Sequence, residues 1–156
     1  MTVIGLISDT HNLVRLDVHT VLAGVSRILH AGDVGDPEIL LELNLIAPVT
    51  AVYGNTDDRF ELNLPGAIDL VIDGLRIHVS HGHELGRPKP AQLAEAYDAD
   101  VIVYGHTHIQ MIERVGAKLV INPGAAGPRR FKLLPSVARL TIVDGVASAE
   151  LIPLLA

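Results

Sequence analysis

The chain contains no cysteine. No disulfide can staple it and no thiolate can hold a metal, so any bound metal must sit on nitrogen and oxygen ligands. Tryptophan is also missing and aromatic residues make up only 3% of the chain, so the core must be built mainly from Leu, Val, Ile and Ala. No uninterrupted apolar run approaches the length of a membrane-spanning helix. Met1 leads directly into a strand-like segment without the basic stretch of a secretory signal. These absences agree with a cytoplasmic protein that does not enter a membrane. The net charge of −6, counted with neutral histidines, disfavours stable binding along a nucleic-acid backbone.

What is present fits one globular domain over residues 1–156, since 49% of the chain is apolar and 19% charged. Thr2–Ser8, Arg27–His30 and Val49–Tyr53 are short apolar segments of strand type. Between them, Leu13–Gly24 has helical spacing, and a second helix should start at Pro37 with Asp36 as its N-cap. Strand–helix–strand–helix–strand implies parallel strands joined by helices.

The pattern then changes. Ala67–Ile72 and Leu75–Ser80 flank Asp73-Gly74, and Leu140–Val143 and Val146–Ile152 flank Asp144-Gly145, both hairpin signals. Ile109–Val115 and Lys118–Ile121 bracket Gly116 in the same way. Pro90–Tyr97 reads as a short helix and Val101–Tyr104 as a buried strand. The sum is a mixed α/β domain with two packed sheets.

Eight histidines is a high count for 156 residues, and their placement is uneven. Asp9 and His11 follow the first strand, Asp33 the second and Asn55 the third; His81 follows the hairpin strand, and His106 and His108 the next. In open α/β sheets, ligands bind beyond the carboxyl ends of strands. Asp9-x-His11 and His106-x-His108 each space two ligand types so that an extended backbone would point both the same way. Carboxylate, amide and imidazole together suit Mn, Fe, Ni, Co or Zn better than Ca or Mg. A carboxylate has two oxygens and can bridge two cations, and Asp33 lies in the middle of the set.

The blocks Asp9-x-His11, Gly32-Asp33, Gly54-Asn55-x-Asp57, His81-Gly82-His83 and Gly105-His106-x-His108 resemble the calcineurin-like metallophosphoesterase superfamily. The small size, His30-x-x-Asp33 and Asn122-Pro123-Gly124 are similar to its compact bacterial and archaeal phosphodiesterase branch. The resemblance implies a four-layer α/β/β/α sandwich of two mixed sheets flanked by helices. It also implies two divalent metal ions, manganese favoured, with Ni, Co, Fe or Zn as alternatives. One would take Asp9, His11, Asp33 and His108, and the other Asp33, Asn55, His81 and His106. The expected reaction is hydrolysis of a small phosphoester, with nucleotide-derived ones among the candidates and a diester preferred. A bridging hydroxide would attack phosphorus in line, with Asp33 and Asn55 at its cations.

Two positions depart from the family. Thr56 stands where larger phosphatases have a histidine thought to protonate the leaving group, and a hydroxyl cannot replace it near neutral pH. The expectation is a bias toward good leaving groups, with His83 as a substitute acid. Ala125 stands where the family often has serine, so no phosphate contact through that hydroxyl is expected. Asp57 has two equal readings, orienting a ligand imidazole or capping a turn. His30, His19 and His78 read as structural, and Arg129 and Arg130 as solvated loop charges rather than a phosphate clamp. The alternative function is a non-catalytic scaffold on the same fold, as in a eukaryotic trafficking subunit with an impaired metal site. An amide or ester hydrolase is a third reading, against which the Asn ligand argues. Homo-oligomerisation is left open.

Overall fold

The computed structural model describes residues 1–130 and 132–155. The elements run β1 (Thr2–Ile7), α1 (Leu16–Val21), β2 (Arg27–His30), α2 (Pro37–Asn44), β3 (Val49–Ala51), α3 (Arg59–Leu62), β4 (Ala67–Ile72), β5 (Leu75–Ser80), α4 (Pro90–Ala96), β6 (Val101–Val103), β7 (Met111–Val115), β8 (Lys118–Asn122), β9 (Ser136–Val143) and β10 (Val146–Pro153). A single 3₁₀ turn covers His83–Leu85. Among the described residues no helix is long and apolar enough to cross a membrane.

The strands form two five-stranded sheets, ordered β10-β9-β1-β2-β3 and β4-β5-β6-β8-β7. Each has three adjacent parallel strands, β1-β2-β3 in one and β5-β6-β8 in the other, with antiparallel strands beside them. Both sheets are therefore mixed, as the sandwich requires. Period-two alternation sorts the side chains into layers. Leu6 and Leu29 face the second sheet, where they meet Ile77, Val79, Val103 and Ile121. Their neighbours Ile7 and Ile28 face the other way, onto Val18 and Leu22 around α1 and Ile39 and Leu43 of α2. On the far side of the second sheet, Leu93 of α4 packs on Ile102, Tyr104 and Val120. This is the expected α/β/β/α order, and full burial of each Leu or Ile contributes about 1.5–3 kcal/mol.

Register fixes where the loops emerge. Ile7 pairs with His30 and His30 with Ala51, so β1, β2 and β3 end side by side. Val79 pairs with Val103 and Val103 with Ile121, so β5, β6 and β8 end together as well. The Asp-Gly turns at 73–74 and 144–145 have positive φ at both residues, as a tight hairpin demands.

Several boundaries differ from the sequence reading. β3 stops at Ala51 because the Tyr53 amide donates to the Pro65 carbonyl rather than to a ladder. The first helix is confined to Leu16–Val21, since the Leu13 amide closes a turn on the Thr10 carbonyl. Asp36 does occupy the N-cap of α2, yet its side chain makes no capping bond; its amide is held by Asn12 Oδ1 instead. The sequence reading contains no α3. Asp58 caps it, with Oδ1 accepting from the Phe60 and Glu61 amides, and Asp58-x-x-Glu61 was the visible signal.

Candidate metal centre

The loops after β1, β2, β3, β5 and β6 converge, and their ligand-type atoms fall into two clusters. Asp9, His11 and His108 form one, and Asp33, His81 and His106 the other; within each, the ligand atoms lie within 4.8 Å of one another. Asn55 joins the second cluster, its Oδ1 3.0 Å from His81 Nε2. Asp33 stands between the two. Its Oδ2 is 3.2 Å from His81 Nε2 and 3.6 Å from His11 Nε2. Its Oδ1 accepts from the Thr56 amide at 3.0 Å, which leaves one oxygen, Oδ2, toward both clusters. All seven positions singled out from the sequence are thus brought together.

The donor set fits a divalent cation. Asp9 Oδ1 and His11 Nε2 are buried without a hydrogen-bond partner, 3.7 Å apart. His108 Nε2 is 3.3 Å from the same Asp9 oxygen. Ligands about 2.1 Å from a common ion lie about 3.0–3.5 Å from each other, close to these spacings. Bare buried polar atoms are costly, whereas a cation between them would satisfy both.

Neighbouring groups aim the ligands. Asp9 Oδ2 accepts from Ser8 Oγ and from the His106 amide, so only Oδ1 faces the cluster. His81 Nδ1 donates to the Ala31 carbonyl at 2.7 Å, which leaves the Nε2 lone pair for a metal. Burial opposes ionisation of Asp9, but the imidazoles of His108, His11 and His81 around it hold it well below the usual carboxylate range. Asp33 is likewise lowered: burial raises it, and His81 overcomes that. Burial pushes His81 down, yet Asp33 and Asp9 leave it raised overall. His106 is lowered by burial and by His81.

Backbone conformation differs from the extended geometry expected for the Asp-x-His and His-x-His pairs. Asp9, His11, Asp33, His106 and His108 all have φ between 42° and 69°. These left-handed residues, rather than an extended run, bring the ligands round. Such conformations carry strain in non-glycine residues and persist where the surroundings enforce them. Two glycines allow the close packing this needs. A Cβ on Gly54 would fall 2.1 Å from Asp33 Oδ1, and one on Gly105 2.0 Å from Ser8 Oγ and 2.7 Å from Asp9 Oδ2.

Asp57 touches no ligand imidazole through a hydrogen bond. Its Oδ2 accepts from the Val34 and Gly54 amides and its Oδ1 from the Gly35 amide, so it ties the β2 and β3 loops together. His30 is structural, as expected: Nδ1 accepts from the Gly32 amide, so Nε2–H donates to Thr10 Oγ1, which donates to the Val34 carbonyl. His19 meets Glu42 of α2. His78 meets Asp69 and Ser80 and stacks on Tyr97 at 3.8 Å. His83 stands 5.3 Å from His81 and 6.2 Å from His106 by ring centroids, and its Nδ1 makes no hydrogen bond.

Sequence reasoning missed the supports. Asn122 Nδ2 donates to the Gly105 carbonyl and Thr107 Oγ1, while its Oδ1 accepts from the Gly124 amide, so it pins the loop bearing His106 and His108. Asn122-Pro123-Gly124 was its only signal. Glu84 accepts from the Gly82 amide and from Tyr97 Oη, anchoring the loop of His81. Tyr97 stands 13 positions from Glu84, so no local pattern announced that bond. Of the two arginines, Arg130 lines a cavity with His106 and His108, and Arg129 is an exposed loop residue.

Residues 1–145 match the calcineurin-like phosphoesterase superfamily domain. The chain is 36% identical to a probable metallophosphoesterase of Methanothermobacter thermautotrophicus, covering 96% of this chain and 91% of that protein. It is 32% identical to a phosphodiesterase of Methanocaldococcus jannaschii, over 78% of this chain and 82% of the other. Among solved structures, a mutant Vps29 from Entamoeba histolytica superposes with a TM-score of 0.81 at 24% identity, covering 99% of this chain and 100% of that one; this shows likeness of fold. A structure described as a novel archaeal phosphodiesterase superposes with a TM-score of 0.74 at 26% identity, over 97% and 100% of the two chains.

Proposed function

The chain belongs to the calcineurin-like phosphoesterase superfamily, among its compact bacterial and archaeal members, and from that premise we propose that it is a metal-dependent phosphodiesterase with a dinuclear centre. One observation carries this reading: Asp33 Oδ2 stands between two clusters of ligand atoms, one of which holds two buried, unbonded donors. Asp9, His11, Asp33 and His108 would hold one divalent cation, and Asp33, Asn55, His81 and His106 the other, with manganese the favoured ion. Bound there, the cations would supply Lewis acidity toward phosphoryl oxygens and lower the pKa of a coordinated water.

The chain's own residues do the rest. The Thr56 amide fixes the Asp33 carboxylate, the Ala31 carbonyl fixes His81, and Ser8 and the His106 amide fix Asp9, so the ligands need little reorganisation. Asn55 is exposed and lies at the open side of the second cluster, where a phosphoryl oxygen would enter. His83, with a free Nδ1 beside His81 and His106, is the residue we assign to proton delivery. The diester preference is supported by the phosphodiesterase relatives and by Thr56, which offers no imidazolium-like acid. Likeness to Vps29 extends to the fold, and the complete donor set favours catalysis over a scaffold role.

The test is an assay on metal-stripped protein reconstituted with Mn, Ni, Co, Zn or Mg. It compares bis-p-nitrophenyl phosphate with p-nitrophenyl phosphate, with Asp33→Asn as control. The expected result is metal-dependent turnover favouring the diester and lost in Asp33→Asn. No turnover of either ester with any metal overturns the reading.

A further inference from the structure

The cavity beside His106 and His108, about 210 Å³, is also lined by Arg87 and Arg130. A second hollow of about 200 Å³ shares Arg87, Thr107 and Ile109 with it as walls and is also lined by Lys89. No carboxylate lines either one among the described residues. In a chain with 18 acidic and 12 basic side chains, three cations along one groove with no acid among them is a strong local excess.

The topology explains how they meet. In the strand order β5-β6-β8, the loop of His106 and His108 is the middle one. Arg87 comes from the loop after β5 and Arg130 from the loop after β8, so the arginines reach the groove from opposite sides. Neither guanidinium makes a hydrogen bond or ion pair among the described residues. Two exposed guanidinium groups without carboxylate partners are suited to a multiply charged oxyanion, because their planar donor forks match phosphoryl oxygens. Leu133 and Ile109 give the cavity apolar walls, which shield those contacts from water.

We propose that the groove lined by Arg87, Arg130 and Lys89 is a subsite for a second phosphoryl group on the substrate, distinct from the phosphorus attacked at the metal centre. This rests on the phosphodiesterase reading and narrows it: the substrate is a diester one arm of which carries a further phosphate. The two sites share His106 and His108, so the second phosphate sits one short linker from the scissile one. An acidic protein thereby attracts its multiply anionic substrate at this groove.

The probe is a pair of esters, the p-nitrophenyl ester of thymidine 5′-phosphate with and without a 3′-phosphate. The readout is the ratio of kcat/KM for the two within each protein, which cancels any general loss of activity. In the wild type the 3′-phosphate should raise kcat/KM about tenfold or more, mostly through KM, and the Arg87→Ala/Arg130→Ala double variant should bring the ratio toward one. A ratio near one in the wild type, or a high ratio that survives in the double variant, overturns the subsite. If neither ester is turned over with any metal, the phosphodiesterase reading has failed instead. The groove is then read by calorimetry of inorganic pyrophosphate on protein held in chelator. Binding lost in the double variant supports it; no binding, or binding that the double variant retains, overturns it.

Discussion

Oδ1 of Asp9 faces Nε2 of His11 across 3.7 Å, both atoms buried and neither hydrogen-bonded. A cation between them removes the cost of two bare polar atoms and should therefore stabilise the fold as well as serve chemistry. Adding Mn to chelator-stripped protein at a hundredfold its dissociation constant should stabilise it by about 2.7 kcal/mol for each site filled, read as a rise in melting temperature. His11→Ala removes a ligand of one cluster only, so calorimetric stoichiometry should fall from about two ions to about one, while Asp33→Asn should weaken both sites. Two equivalent ions bound to His11→Ala would sink the division into two sites.

Asp57 accepts from three backbone amides in two loops. Asp57→Ala should cost about 2–4 kcal/mol in urea unfolding, since three amides lose charge-assisted bonds. Metal affinity should fall too, because Asp33 and Asn55 lie on the loops it joins. Asp57→Asn keeps one acceptor oxygen and should fall between. Unchanged metal affinity in a destabilised Asp57→Ala would show that the loops hold their ligands without the clamp.

The parallel strands, both Asp-Gly hairpins and the site positions were legible because each is local: apolar runs, turn residues and ligand types appear in order along the chain. What brings Asp9 to His108, or Asp33 between His11 and His81, was legible only through family resemblance. The left-handed conformations of Asp9, Asp33, His106 and His108 were hidden, since spacing alone suggests extended pairs. Asp57 looked equally like a turn cap and an imidazole partner because its bonds run to residues 22 and 23 positions away as well as to nearby Gly54. Arg87 and Arg130 lie 43 positions apart, and only the strand order β5-β6-β8 sets them on one groove.

His30 gives stability a pH dependence of known sign. Burial pushes its pKa down from 6.5 to about 4, and its Nδ1 must stay unprotonated to accept from the Gly32 amide. Below 6.5 the unfolded chain takes up a proton that the folded chain refuses until about pH 4. Stability from this group is therefore complete above 6.5 and falls as pH drops toward 4, by on the order of 3 kcal/mol over the whole interval. His30→Asn keeps an acceptor for the Gly32 amide without the titration. In chelator, its stability should fall less between pH 7 and pH 5 than that of the wild type; parallel pH dependences would contradict the assignment.

Thr56 holds Asp33 Oδ1 through its amide, so its place in the site is positional, and its hydroxyl offers no proton near neutral pH. Turnover should consequently depend steeply on leaving-group pKa across a series of aryl phosphodiesters with the same second arm. His83 is the nearby imidazole with a free Nδ1, and His83→Gln should steepen that dependence by removing the remaining acid. Thr56→His places an imidazole on the β3 loop and should flatten it, raising turnover of the poorest leaving group by about tenfold or more, since positioned general acids contribute ~10²–10⁴-fold. The aryl series separates this from a mere packing effect, because only a proton donor changes the slope while leaving the best leaving group nearly untouched. A wild-type slope already flat, and equally flat in His83→Gln, would mean that the leaving oxygen takes its proton from neither residue.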